Sequence, residues 1–250
     1  MAVVVIFCHL NQKQKQHRDQ FIQDLNSCCA AANDFNRMSE KCEDVMEQMT
    51  SECEFSEECM NGVETASNIL LSVYASDAVY ASQCTHKYIF EDIQVALGDA
   101  FFGLEWEEQL TNNEIASSLV KTLEDFMVDL VEWLDPLLWK KSVEALVSAT
   151  VIFYIRCLLL KAESHNSNRQ PAFADVERAL ERIKGDHLLL REYFEGLESK
   201  HPVLGRVIDR EFELLSNVQE CMEIAGDLFL CFSSFTFVHL FLYFDFSLFS

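Results

Sequence analysis

Apolar residues recur at steps of three and four along nearly all of the chain between Gln16 and Asp227, the spacing that lines up one face of an α-helix. The first stripe runs Phe21, Leu25, Cys28, Ala32, Phe35, Met38, Cys42, Val45 and Met49. Thr50 to Asn61 is acidic and lacks the stripe, so it predicts a loop. A second stripe opens at Val63 and passes through Ala66, Leu70, Val73, Asp77, Ala81, Cys84 and Tyr88 towards Leu97. Asp77 interrupts it and must sit at an edge or find a partner. Gly98 and Gly103 then loosen the chain. Thr111-Asn112-Asn113-Glu114 offers capping side chains and an acid for the positive end of a helix dipole.

The third stripe is Ile115, Leu119, Leu123, Phe126, Leu130 and Leu134. Pro136 stops it and suits the first turn of a fourth helix bearing Leu138, Leu146, Thr150, Phe153, Cys157 and Leu160. From Val143 to Leu160 that helix is apolar almost all round, which predicts the most buried helix of a bundle. Ser164 to Gln170 is a polar loop, and Pro171 opens a fifth helix with Phe173, Val176, Leu180, Ile183, Leu190, Phe194 and Leu197 facing in. Its other face mixes Asp175, Glu177, Arg178, Glu181, Arg182 and Lys184, an ordinary solvated surface. Pro202 separates it from a sixth helix with Val203, Val207, Phe212, Leu215, Val218 and Met222 inward. Seven Gly and three Pro are too few for a hairpin-rich sheet. The expected class is all-α: helices rising about 1.5 Å per residue, packed as elongated antiparallel bundles of the rod type.

Three regions follow: a short N-terminal segment at 1–15, a helical rod at 16–226 with a sub-boundary near 98–113, and a Phe-rich apolar tail at 227–250. Val3 to Phe7 has no basic residue before it and no small-residue cleavage site after it, so it does not read as a signal peptide. Between Leu228 and Phe244 there is no Asp, Glu, Lys or Arg, and eight Phe fall between Phe229 and Phe249. That run sits at the lower limit for a membrane span. Its dense Phe and Ser, with no Ala or Gly, favour a non-native or truncated end over a tail anchor.

The formal net charge is −22, from 41 acidic and 19 basic residues. Such a surface repels phosphate backbones and anionic lipid, so direct binding to nucleic acid is disfavoured. Of the ten cysteines, none forms a Cys-x-x-Cys or a Cys/His knuckle with zinc spacing. Cys28, Cys42, Cys84, Cys157 and Cys221 fall in apolar helical patterns as small hydrophobes. Cys42, Cys53, Cys59 and His86 have no ligand spacing that would make them a metal site, and reduced thiols in the cytosol are expected. The acidic pairs Glu124/Asp125 and Asp129/Glu132 read as a solvated helix face, and His165, His187 and His201 as surface histidines. Phosphate loops, nucleophile elbows and His-Glu-x-x-His are absent, so no enzyme, no cofactor and no catalytic or metal-binding residue is expected.

Thr122-Leu123-Glu124-Asp125-Phe126, then Asp129-Leu130 and a Pro136-led helix reaching Tyr154-Ile155-Arg156, resembles the Sec-six family, exocyst complex component three. The loop at 164–170, the Asp175-Val176-Glu177-Arg178 helix running to Leu190-Arg191-Glu192-Tyr193-Phe194, and Phe21-Ile22 with Leu25-Asn26-Ser27-Cys28 fall in the family's order. Trp106 is a candidate for the aromatic position before the signature helix. Family members are several times longer, so the chain reads as an incomplete internal or C-terminal helical region, and it leaves the pattern near Asp227. The resemblance implies a cytoplasmic subunit of the exocyst, peripheral at the plasma membrane. It would dock secretory vesicles through contacts with other exocyst subunits and SNARE proteins, and carries over no catalytic residue. Two alternatives share the helical domain: a tail-anchored membrane protein using 228–244, and a Sec-six-like membrane-remodelling protein outside the exocyst.

Overall fold

The computed structural model describes residues 24–108, 113–166 and 172–225. The segment at 1–15, Phe21, Pro171 and the Phe-rich tail at 227–250 lie outside them. The fold is all-α, with seven helices and no strand among the described residues. They are α1 (Leu25–Glu52), α2 (Glu57–Leu97), α3 (Leu104–Glu108), α4 (Glu114–Trp133), α5 (Pro136–Asn166), α6 (Val176–Glu195) and α7 (Leu204–Ala225).

Local chemistry explains most of the boundaries. Asp24 opens α1 with a capping box: its carboxylate accepts from the Ser27 amide at 2.7 Å, and Ser27 Oγ accepts from the Asp24 amide at 2.9 Å. The loop expected over Thr50–Asn61 shrinks to residues 53–56, because Ser56 caps α2 by accepting from the Cys59 amide at 3.3 Å. Pro136 is the first residue of α5, as its locked φ favours. The fifth predicted helix starts later than expected, at Val176. Asp175, read as part of the solvated face, is its N-cap and accepts from the Arg178 amide at 3.1 Å.

The chain divides into two compact units. Among the described residues the first comprises 24–88 and 129–142. Here α1 and α2 run antiparallel: Cys28 is pushed up chiefly by burial and then by the neighbouring Cys84 and Cys29 thiols, so the start of α1 lies beside the second half of α2. Asn33 ties α1 to the corner between α4 and α5, donating to the Trp133 carbonyl at 2.6 Å and accepting from the Asp135 amide at 3.1 Å. Buried Thr85 and Ser142 share a hydroxyl–hydroxyl bond between α2 and α5.

Two expected stripes need correcting in this unit. On α1 only Cys28, Cys29 and Ala32 are buried, while Met38 and Val45 are exposed. On α2 Ala81 is buried as predicted, but the buried line otherwise runs through Ala78, Ser82, Thr85, Ile89 and Ile93, one position off the predicted Cys84 and Tyr88, and Leu70 is exposed. Apolar residues flank both lines, so periodicity alone leaves the phase open by about one residue, or 100°.

The second unit comprises 89–108, 113–128, 143–166 and 172–225. As expected, α5 is its most enclosed helix. Val143, Leu146, Val147, Val151 and Leu158 are fully buried, each contributing about 1.5–3 kcal/mol. Leu160 is the exception and is exposed. The Pro136–Ala162 stretch is long and apolar enough to cross a membrane, but 56% of its most apolar window is buried inside the protein. On α4, Ile115, Leu119 and Leu123 are buried as predicted, while Met127 takes the inward place expected of Phe126, which is half-buried.

Helices α6 and α7 form an antiparallel pair. Phe212 meets Phe194 and His187, with ring centres 6.3 and 5.4 Å apart, and Arg191 reaches Asp209 at 2.5 Å. The buried start of α7 is Leu204 and Ile208, one step from the predicted Val203 and Val207.

Candidate functional site

The second unit encloses one polar node inside an aromatic cluster. After α2 the chain turns through Phe101 and Phe102, and Phe102 takes a left-handed backbone conformation at φ 61°. For a residue with a Cβ this costs on the order of 1–2 kcal/mol. The turn drives the Phe102 ring into the core, with ring centres 4.7 Å from Trp106, 5.1 Å from Tyr154 and 6.1 Å from Phe173. Burial of that ring outweighs the backbone cost.

Trp106 stands on the short α3, Tyr154 on α5 and Asp186 on α6. Trp106 Nε1 donates to Asp186 Oδ2 at 3.0 Å, and Tyr154 Oη donates to the same oxygen at 2.8 Å. Arg182, one turn earlier on α6, donates to the Trp106 carbonyl at 2.7 Å. Asp186 is fully enclosed, and its Oδ1 has no hydrogen-bond partner. Burial pushes its carboxyl up to about 6, against the opposing pull of the Trp106 and Tyr154 bonds, of Asn113 and of the Arg182 charge. The Tyr154 hydroxyl is held well above its ordinary range, first by burial and then by the adjacent carboxylate. Both partners of Asp186 therefore donate without giving up protons near neutral pH, and no substrate can reach the carboxylate. The node fastens α3, α5 and α6 together.

Asn113, expected as a cap for α4, instead donates to the Arg182 carbonyl at 3.2 Å. Gly185 makes that approach possible, because a Cβ there would meet the Asn113 amide at 2.5 Å. Outside the node an open cleft of about 250 Å³ lies between α3 and the first turns of α6, lined by Leu104, Glu107, Arg178 and Arg182 among others. Glu107 at its edge pairs with Lys161.

The residues weighed for chemistry are placed elsewhere. Glu124, Asp125 and Glu132 lie exposed on α4, with Asp129 half-exposed. Cys53 and Cys59 are exposed and Cys42 is half-exposed, whereas His86 is buried on α2 against the Gln83 carbonyl. Among the described residues no group of three or more His, Cys, Asp and Glu could hold a metal ion. Two histidines expected at the surface are not there. His201 is buried with Nε2 2.9 Å from Glu144, and half-buried His187 stacks on Phe212 and meets Gln219 at 2.9 Å. The His165 side chain lies outside the description. Asp186 went unremarked in the sequence, although its place between Ile183 and Leu190, at steps of three and four, puts it on the inward stripe.

No curated protein and no solved structure matches the chain. The family of exocyst complex component Sec6 does, over residues 8–231. That span takes in α1 through α7, including the Thr122–Phe126 segment on α4 and the residues of the Asp186 node, and the chain belongs to the exocyst complex component Sec6 family.

Proposed function

We propose that this chain works as a helical scaffold in the exocyst, docking secretory vesicles at the cytoplasmic side of the plasma membrane by binding other exocyst subunits and SNARE proteins. The family match over residues 8–231 carries the reading. Sec6 membership implies association with other exocyst subunits in a non-catalytic complex; the vesicle-docking and SNARE contacts are the finer part of the proposal. The interior supports it. Asp186 and Tyr154, both strongly perturbed by burial, are sealed in the core, where they stiffen helix packing and cannot meet a substrate. A stiff helical body suits a component that holds partner surfaces at set positions, with affinity concentrated in a few exposed patches.

The test is affinity purification of the tagged whole chain from cells under gentle lysis, with membrane fractionation alongside. Co-recovery of the other exocyst subunits, and of SNARE proteins in the plasma-membrane fraction, is expected. A chain that fractionates alone, without any exocyst subunit, sinks the proposal.

A further inference from the structure

The first unit leaves a long stretch of helix without a core. Between residues 33 and 77 the only buried side chain is Ser67, yet the apolar spacing continues through both helices. Met38 and Val45 on α1 are 43% and 53% exposed, and Ile69 and Leu70 on α2 are 56% and 47% exposed. Met38 and Val45 are seven residues apart, two turns along one helix face. Half-exposed Met46 and Met49 extend the apolar surface towards the 53–56 turn with flexible side chains that adapt to an incoming shape. Residues 38–73 carry nine carboxylates, among them Glu40, Glu43, Asp44, Glu47 and Glu64, against the single cation Lys41.

We propose that this half of the α1–α2 pair docks an amphipathic helix of a partner protein, one with an apolar stripe flanked by Lys and Arg. Met38, Val45, Ile69 and Leu70 would meet the stripe, and the surrounding carboxylates would meet the basic flanks. Charge decides among occupants. A second copy of this chain would bring the same acidic flanks, and anionic lipid or nucleic acid would be repelled. A basic amphipathic helix satisfies the apolar spacing and the charge together. The inference rests on the reading that the chain acts by binding, and adds where it binds and what chemistry it takes.

The experiment titrates the whole chain into a fluorescent model peptide of about 20 residues, Leu at helical three/four spacing and Lys or Arg elsewhere. Saturable binding that weakens with added salt is expected. A peptide of the same composition, scrambled to break the stripe, should bind about tenfold more weakly. Val45→Glu combined with Ile69→Glu should also weaken binding about tenfold, although it adds attraction for a basic peptide. Val95→Glu, at a position 90% exposed outside the surface, should change nothing. Circular dichroism checks each variant, and Val45→Ala with Ile69→Ala replaces the Glu pair if helicity falls.

Equal binding of the scrambled peptide would reduce the effect to bulk charge and overturn the proposal. So would binding indifferent to the double substitution. Self-association abolished by the same substitutions would assign the surface to a second copy, and pelleting with phosphatidylserine vesicles would assign it to a membrane; either overturns the helix-docking reading. Co-purification with exocyst subunits alongside failure of the peptide would remove this inference alone.

Discussion

Asp186 offers the sharpest physical test of the core. Its carboxyl stands at about 6 in the folded chain, against an ordinary 3.8 that the unfolded chain should keep. Below about pH 3.8 the group is neutral in both states. Between the two values the folded protein holds a proton that the unfolded chain has released. Its contribution to stability is thus fully present below 3.8 and is lost as pH rises through 6. A separation of about two units at about 1.4 kcal/mol per unit corresponds to roughly 3 kcal/mol. About half of this falls between pH 5 and pH 7.5, above the sequence pI of 4.5. Asp186→Asn keeps an oxygen to accept from Trp106 and Tyr154 and removes the titration. The assay is urea unfolding followed by Trp fluorescence across that range, comparing the wild type with Asp186→Asn so that other carboxylates cancel. The wild type should lose about 1.4 kcal/mol relative to the variant as pH rises. A flat difference would refute the buried-charge reading and place Asp186 in contact with water.

Other expectations are equally direct. Phe102→Ala and Phe102→Gly should both destabilise, but Gly by about 1 kcal/mol less, because only Gly takes the left-handed backbone without strain; chemical denaturation showing Ala ahead refutes the turn geometry. Leu123→Ala should cost about 2–5 kcal/mol and Glu124→Ala near zero in thermal melts, since Leu123 is fully buried and Glu124 is exposed. Asn33→Ala should lose about 1–3 kcal/mol and speed hydrogen exchange at the Asp135 amide, which then loses its acceptor. In the folded chain Cys53 and Cys59 should react with a thiol reagent well before Cys29 and Cys157. Burial raises those two to about 11 and about 12 respectively.

Helix identity was legible in the chain because it depends on neighbours a few residues away. The three/four spacing, the scarcity of Gly and Pro, and Pro136 at a first turn are local matters of sterics and hydrogen bonding, and so is the near-continuous apolarity of α5. Together with the ordered segments that resemble the Sec-six family, they were enough for the fold class and for membership of a complex. Which side of each helix turns inward was less legible, because that choice belongs to whatever packs against it. On the second half of α2 and at the start of α7 buried positions fell one residue from predicted ones, although Ala81, Phe212, Leu215, Val218 and Met222 are buried as expected, and on α1 burial covered only the first turns. The Asp186 node was harder still. Its donors lie 80 and 32 residues away, at Trp106 and Tyr154, and a lone Asp on an apolar stripe carries no mark of them. Periodicity within a helix is written in its own residues, whereas burial and the partners of a buried charge are properties of segments brought together only by folding.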